Sequence, residues 1–219
     1  MERWVWLFIP LVCGCVAFRP HVAPESDEPI DHLALAADAL DRGDERTASL
    51  RFAAHLHDFP DDAATRFQLA ELLFKQDRTA EARCEFETFV SVAQPATGPV
   101  RKLLPHAHTR LMLLAQEADD AAAEQLHRGI GLVVLAMQWD ADQDRADDGM
   151  EHRTLMKAVR ALRAARGAHP ARANLYLALA YDRLGQLSAT RSAIRNAEAA
   201  NPFALTPWER DRLAALGEQ

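Results

Sequence analysis

A phrase of sequence occurs twice in the first half of the chain at a fixed separation. Residues 48–60 read ASLRFAAHLHDFP and residues 82–95 read ARCEFETFVSVAQP, so that Ala48 and Phe52 have counterparts 34 residues later. Each copy follows another apolar run with helical spacing, HLALAADALDR in the first case and ATRFQLAELLFKQ in the second. A period of this length with two helices per unit predicts helical hairpins that bury their apolar faces against one another.

The composition favours an all-helical protein and limits its partners. Hydrophobic residues make up 49% of the 219 residues, Ala and Leu dominate, and aromatic residues account for only 7%. This balance favours helices over strands. The net charge is -7 and there is no basic run, which argues against a nucleic-acid partner because phosphate neutralisation needs clustered Lys and Arg. Cys84 is the one cysteine that follows the N-terminal apolar segment, so no disulfide framework is predicted.

A third copy of the pattern lies near the C-terminus. Residues 171–202 carry Leu177, Ala178, Tyr181 and Gly185 at the corresponding places and end on a proline. Together the three copies resemble the tetratricopeptide repeat (TPR) family. The resemblance implies an all-α, TPR-like helix-turn-helix solenoid whose concave face is a docking surface for other proteins.

The predicted solenoid covers residues 29–219. Its units are repeats at about 29–62, 63–96 and 171–202, an irregular, degenerate middle unit at 103–168, and a C-terminal capping helix at 206–217. Within that last segment, Thr206 is predicted as the N-cap, Pro207 as the first helical residue, and Glu209 as the partner that completes a capping box.

The middle unit is less regular than its neighbours. Helices are predicted over 106–117, 119–138 and 151–168, the second as partner of the third, while the first has no evident mate. Gly129 and Gly131 fall inside the second helix, where glycine costs about 1 kcal/mol relative to alanine. They predict either a close contact between helices or a break.

The N-terminus has the pattern of a bacterial export signal. Residues 1–17 read MERWVWLFIPLVCGCVA, with an apolar core that is shorter than the roughly 20 residues needed to span a membrane. The Val-Cys-Gly-Cys run resembles a lipobox, which implies lipidation at Cys15; cleavage after Ala17 and a retained anchor are the alternatives. Residues 18–28 are rich in proline and acidic residues and are predicted to form a disordered tether.

The acidic segment from Asp140 to Glu151 resembles an EF-hand calcium loop. It places Asp at positions 1, 3, 5 and 9 and Glu at position 12, but Arg145 stands where the sharp turn needs glycine and Asp147 where the loop needs an apolar residue. A solvated loop between helices is the preferred interpretation, so no metal or cofactor is predicted. No catalytic motif is present, and a non-enzymatic protein is expected.

The TPR resemblance also implies which side chains face the concave groove. For the second and last repeats these groove residues are Phe67, Glu71, Phe74, Lys75, Arg172, Leu175, Leu179, Asp182 and Arg183. Glu71 and Leu179 occupy the position where peptide-carboxylate clamps of the family have asparagine, so that particular ligand is not supported.

The resemblance and the N-terminal signal together imply a membrane-tethered TPR lipoprotein of the bacterial cell envelope, facing the periplasm. Such a protein would be a scaffold for other proteins, held at the membrane by its lipid anchor. Two alternatives stay open: a calcium-responsive regulator that uses the 140–151 loop, and an accessory TPR subunit of a cell-wall enzyme system.

Overall fold

The computed structural model describes residues 30–94, 98–139 and 148–218, and the helical body is one compact unit that begins at Asp31. The predicted signal segment, tether and most of the acidic loop therefore lie outside the described residues. The helices are α1 (His32–Asp41), α2 (Glu45–Asp58), α3 (Ala63–Lys75), α4 (Thr79–Ala93), α5 (Pro99–Lys102), α6 (Leu104–Glu117), α7 (Ala121–Trp139), α8 (Asp148–Ala165), α9 (Pro170–Arg183), α10 (Leu187–Glu198) and α11 (Pro207–Gly217), with a short 3₁₀ turn at Pro202–Ala204.

Four of the connections are the same tight turn. A residue with positive φ follows each first helix: Gly43 at 75°, Asp77 at 55°, Asp119 at 54° and Gly185 at 68°. In each turn two backbone N–H groups bond back to the last helical turn, as when Asp77 donates to Phe74 and the next residue donates to Leu73. This is the Schellman arrangement, which satisfies the free carbonyls at a helix end. The turns define four hairpins: α1–α2, α3–α4, α6–α7 and α9–α10.

The alanines and phenylalanines of the repeated phrase lie in the core, as the sequence predicts. Ala48, Ala82 and Phe86 are fully buried, and Phe52 is 4% exposed. The all-α, hairpin-stacked fold class is therefore confirmed by the packing of the repeat residues themselves.

The third hairpin settles the pairing of the middle helices. The turn at Asp119 joins α6 to α7, so the mate of the 106–117 helix is the 119–138 helix. The prediction that α7 pairs with α8 is correct but incomplete, because α7 packs against both α6 and α8. Helix α8 is an additional helix between the third hairpin and the last one.

Gly129 permits the close approach of α7 to α8. A Cβ atom at this position would lie 2.5 Å from Cγ of Leu162, which is shorter than any real carbon–carbon contact. Helix α7 continues without a break from Ala121 to Trp139. The glycine therefore marks a close helix contact, and the alternative of a break is wrong.

The C-terminal helix begins with the predicted cap. The side chain of Thr206 accepts from the backbone N–H of Glu209, the carboxylate of Glu209 accepts from the backbone N–H of Thr206, and Pro207 is the first helical residue. None of the described helices has both the length and the apolar character that a membrane span requires.

Candidate functional site

The groove residues of the second repeat lie against α6. The ring of Phe67 packs edge-on to Phe89, with centroids 5.1 Å apart, and Glu71 forms a bidentate ion pair with Arg110, each N–O distance being 2.8 Å. The guanidinium of Arg110 also stacks over Phe74, 4.6 Å from the ring centroid. Helix α6 therefore covers much of this face, and of the four predicted residues only Lys75 is exposed.

The groove residues of the last repeat are separated from one another. Leu175 and Leu179 are core residues, 0% and 3% exposed, so they are not available to a ligand in this conformation. Arg183 is paired with Glu151, the last position of the proposed calcium loop, and Asp182 is half-buried. Only Arg172 of this group lines a cavity of about 440 Å³.

That cavity, called here the central cavity, lies where the second, third and last hairpins meet. Its volume is about 440 Å³, which is within the range of ligand-binding pockets. Its walls come from α4, α6, α7, the beginning of α9 and the segment after α10. The lining residues are Arg83, Glu87, Leu111, Ala115, Asp120, Ala123, Leu126, His127, Ala168, His169, Pro170, Ala171, Arg172, Asn201 and Ala204.

The cavity has an apolar wall and a charged rim. Buried Leu111 and Leu126 form part of the wall. Arg83 reaches the rim from α4, where its Nη2 donates to the carbonyl oxygen of Leu114 at 2.8 Å. Helix α9 begins at the cavity with Pro170, after His169, whose side chain does not cap the helix. The site therefore combines a nonpolar surface with cationic groups and a free helix N-terminus.

Two buried histidines lie at the bottom of this region. Nδ1 of His108 and Nδ1 of His127 are 3.2 Å apart, so one ring donates a hydrogen bond to the other and both rings are neutral. Burial lowers the pKa of His127 to about 3, and the positive charges of Arg172, His169 and Arg83 add to that shift, while Asp120 opposes it. Burial, followed by the neighbouring His127, also holds the pKa of His108 well below its ordinary value.

A buried polar network extends from Arg172 at the cavity wall. Tyr176 donates to Oε1 of Glu209 at 3.2 Å and accepts from Nε2 of Gln94 at 2.7 Å. Glu209, which is fully buried, also forms an ion pair with Arg172 at 3.0 Å, and Thr206 donates to Gln94. The network joins the end of α4 to α9 and α11.

No group of three or more His, Cys, Asp or Glu residues in residues 30–94, 98–139 and 148–218 is placed to hold a metal ion. The cavity contains no cysteine or serine that could serve as a nucleophile beside its histidines. The arrangement suits recognition of a ligand by charge and by apolar contact.

Sequence analysis did not single out Arg83, His169 or the His108–His127 pair. One local signal was available for the region: the proline at position 170 marks the beginning of a helix. The period of the repeats did not indicate that α4 and α9 lie close together, because that period describes only neighbouring units.

The fold is an all-α, TPR-like array of helical hairpins, with a cavity where three of them meet. No protein-family model matches the chain, and no curated protein matches it. Among solved structures, the crystal structure of MamA protein is similar to it at 15% identity, with a TM-score of 0.39, over 85% of this chain and 90% of that chain. A likeness this weak adds nothing to the fold derived from the hairpins themselves.

Proposed function

We propose that the protein is a non-enzymatic interaction scaffold that binds a segment of a partner protein in the central cavity. One observation carries the proposal: a cavity of about 440 Å³ lies between three hairpins and combines an apolar wall with charged side chains. A volume of this size admits a few side chains of a peptide rather than a whole domain. Helical repeat proteins commonly use concave surfaces of this kind for partners.

Site-specific photo-crosslinking tests the proposal. A benzophenone amino acid replaces Glu87, which is exposed at the cavity rim, and in a separate variant it replaces Arg191, which is exposed on α10 and does not line the cavity. We expect a protein adduct from position 87 and none from position 191. Equal adducts from both positions, or none from position 87, contradict the proposal.

A blocking substitution shows whether the adduct depends on the cavity itself. Ala168 is exposed and lines the cavity, so Ala168→Trp fills part of it, whereas Ala164→Trp places the same ring on an exposed position of α8 outside it. We expect the adduct at position 87 to be lost in the first variant and kept in the second. An adduct that survives Ala168→Trp places the partner outside the cavity.

We also propose that the scaffold works at a membrane of the bacterial cell envelope, tethered by lipid on Cys15. The support is the sequence: an apolar core of signal-peptide length and a lipobox-like run that ends at Cys15. Acyl chains contribute about 0.8 kcal/mol per buried CH₂, so two or more chains hold a protein on a membrane.

Metabolic labelling with an alkyne fatty acid tests this tether. We expect the label in the full chain and its loss in Cys15→Ser, while Cys13→Ser keeps it. A label that persists in Cys15→Ser, or that never enters the full chain, contradicts the tether and leaves the scaffold proposal in place.

A further inference from the structure

We infer that the central cavity recognises an acidic side chain of its partner, held between Arg83, Arg172 and the N-terminus of α9. This inference rests on the proposed function, because it takes the cavity as the place where the partner segment binds. It specifies the chemistry of that segment: a carboxylate next to an apolar side chain that covers Leu111 and Leu126.

Arg83 is the first reason. Its guanidinium is half-buried and bonds only to a backbone carbonyl, and it forms no ion pair with any residue of the described segments. Two other half-buried arginines are neutralised: Arg66 is paired with Glu85 at 2.6 Å, and Arg110 with Glu71 at 2.8 Å. A partly desolvated cation without an anion is unfavourable, and an acidic ligand would relieve it.

Arg172 and the beginning of α9 supply the remaining donors. Arg172 bonds Glu209 through Nε, and its two Nη groups have no partner within the described chain. The backbone N–H groups of Ala171 and Arg172 have no acceptor there either, since the first helical bond is donated by Ala173 to His169. Free N–H groups at a helix N-terminus and a guanidinium are the donors that carboxylates prefer.

A histidine with an open ring nitrogen lies at the cavity wall. His127 is 9% exposed and lines the cavity, its Nδ1 is paired with Nδ1 of His108, and its Nε2 makes no hydrogen bond with any described residue. The guanidinium groups of Arg172 and Arg83 lie near this ring, opposed by the carboxylate of Asp120.

Two carboxylates limit where the acidic group can lie. Glu87 and Asp120 also line the cavity, and Oδ1 of Asp120 accepts from the backbone N–H of Ala123 at the beginning of α7. A ligand anion therefore belongs on the α9 side. The side of the cavity that carries Glu87 and Asp120 suits amide or basic groups of the same segment. A peptide has such groups, whereas a free inorganic anion does not.

An array of randomised hexapeptides, probed with the detergent-solubilised full chain, tests the inference. We expect bound peptides to be enriched in Asp and Glu, and substitution of that acidic residue by its amide to weaken binding by about tenfold or more, because a charged hydrogen bond is lost. In Arg83→Gln the difference between acid and amide peptides should disappear. In Arg191→Gln, an exposed arginine outside the cavity, it should remain.

The outcomes separate this inference from the proposed function. If peptides bind the unmodified chain, fail to bind the Ala168→Trp variant and show no preference for acidic residues, the proposed scaffold stands and the acidic recognition is overturned. An acidic preference that survives Arg83→Gln also overturns it. If no peptide binds, the proposed function and the inference both fail, and a titration with inorganic phosphate then shows whether the cavity is instead a site for a free anion.

Discussion

Nε2 of Gln94 donates a hydrogen bond of 2.7 Å to the hydroxyl oxygen of Tyr176, across 82 residues of sequence. Both side chains are buried, and the same hydroxyl donates to the fully buried Glu209. Burial and the adjacent carboxylate of Glu209 raise the pKa of Tyr176 well above its ordinary value, so it remains a donor at all physiological pH values. The contact makes the second and last hairpins neighbours in space.

Removal of this hydroxyl should destabilise the protein. Tyr176→Phe leaves the buried Nε2 of Gln94 without its acceptor and removes one donor to Glu209, and we expect the free energy of unfolding to fall by about 1–3 kcal/mol. Urea denaturation followed by circular dichroism measures the change. The matched control is Tyr181→Phe, because the hydroxyl of Tyr181 bonds an exposed arginine, Arg163, that water can solvate instead. An equal loss in both variants contradicts the special role of Tyr176.

The buried histidine pair should make the protein less stable in mild acid. The pKa of His127 is about 3 in the folded state, and that of His108 is also lowered, against 6.5 for an ordinary histidine. Below pH 6.5 the unfolded chain therefore binds more protons than the folded chain, and stability is lost as the pH falls. His127 contributes a loss of about 2 kcal/mol between pH 7 and pH 5, and His108 contributes in the same direction.

Urea titrations at several pH values check this dependence. His127→Gln removes one titrating ring and should reduce the pH dependence, whereas His57→Gln, at an exposed position, should leave it unchanged. A stability that stays constant from pH 7 to pH 5 in the unmodified protein would show that the pair is not buried and neutral.

A methyl group at Gly129 should separate α7 from α8. The Cβ of Gly129→Ala would meet Cγ and Cδ2 of Leu162 at 2.5 and 2.8 Å, and overpacking of this kind costs about 1–3 kcal/mol, partly offset by the better helix propensity of alanine. Gly167→Ala is the control, because a Cβ there meets no atom within 4 Å. A melting temperature for Gly129→Ala equal to that of the control contradicts the close contact.

The repeated turns predict substitutions that stabilise the protein. Asp77 and Asp119 adopt positive φ, which costs an L-residue about 1 kcal/mol and glycine almost nothing. We expect Asp77→Gly and Asp119→Gly each to raise the free energy of unfolding by a few tenths to about 1 kcal/mol. Gly43→Ala should lower it by a similar amount, since Gly43 has φ of 75°. Thermal melting of the three variants measures both directions.

The local structure follows from the sequence because each of its causes is local. Ala48 and Ala82 are small where two helices of a hairpin cross, and Thr206 with Glu209 forms the predicted capping box. The α6–α7 turn was accessible by the same reasoning, since Ala118-Asp119-Asp120 occupies the place that Gln76-Asp77-Arg78 occupies in the second hairpin.

The binding surface does not follow from the sequence in the same way. The predicted positions Leu175 and Leu179 are buried in the core shared by α7 to α11. The additional helix α8 changes which face of α9 is covered. Groove positions carried over from the TPR family do not take that change into account. Arg83 and Arg172 line the cavity from hairpins that are separated in sequence by four helices, α5 to α8.

The contact between Gln94 and Tyr176 also determines how the chain comes apart. In a linear array each unit contacts only its neighbours, so units can unfold one after another from either end under a pulling force or in denaturant. Here the C-terminal hairpin is held by the second hairpin as well as by α8, so its release requires a rupture in the middle of the molecule. The body should therefore melt in a single step, and its folding must wait for a loop of about 80 residues to close, a requirement that slows folding relative to arrays with local contacts only.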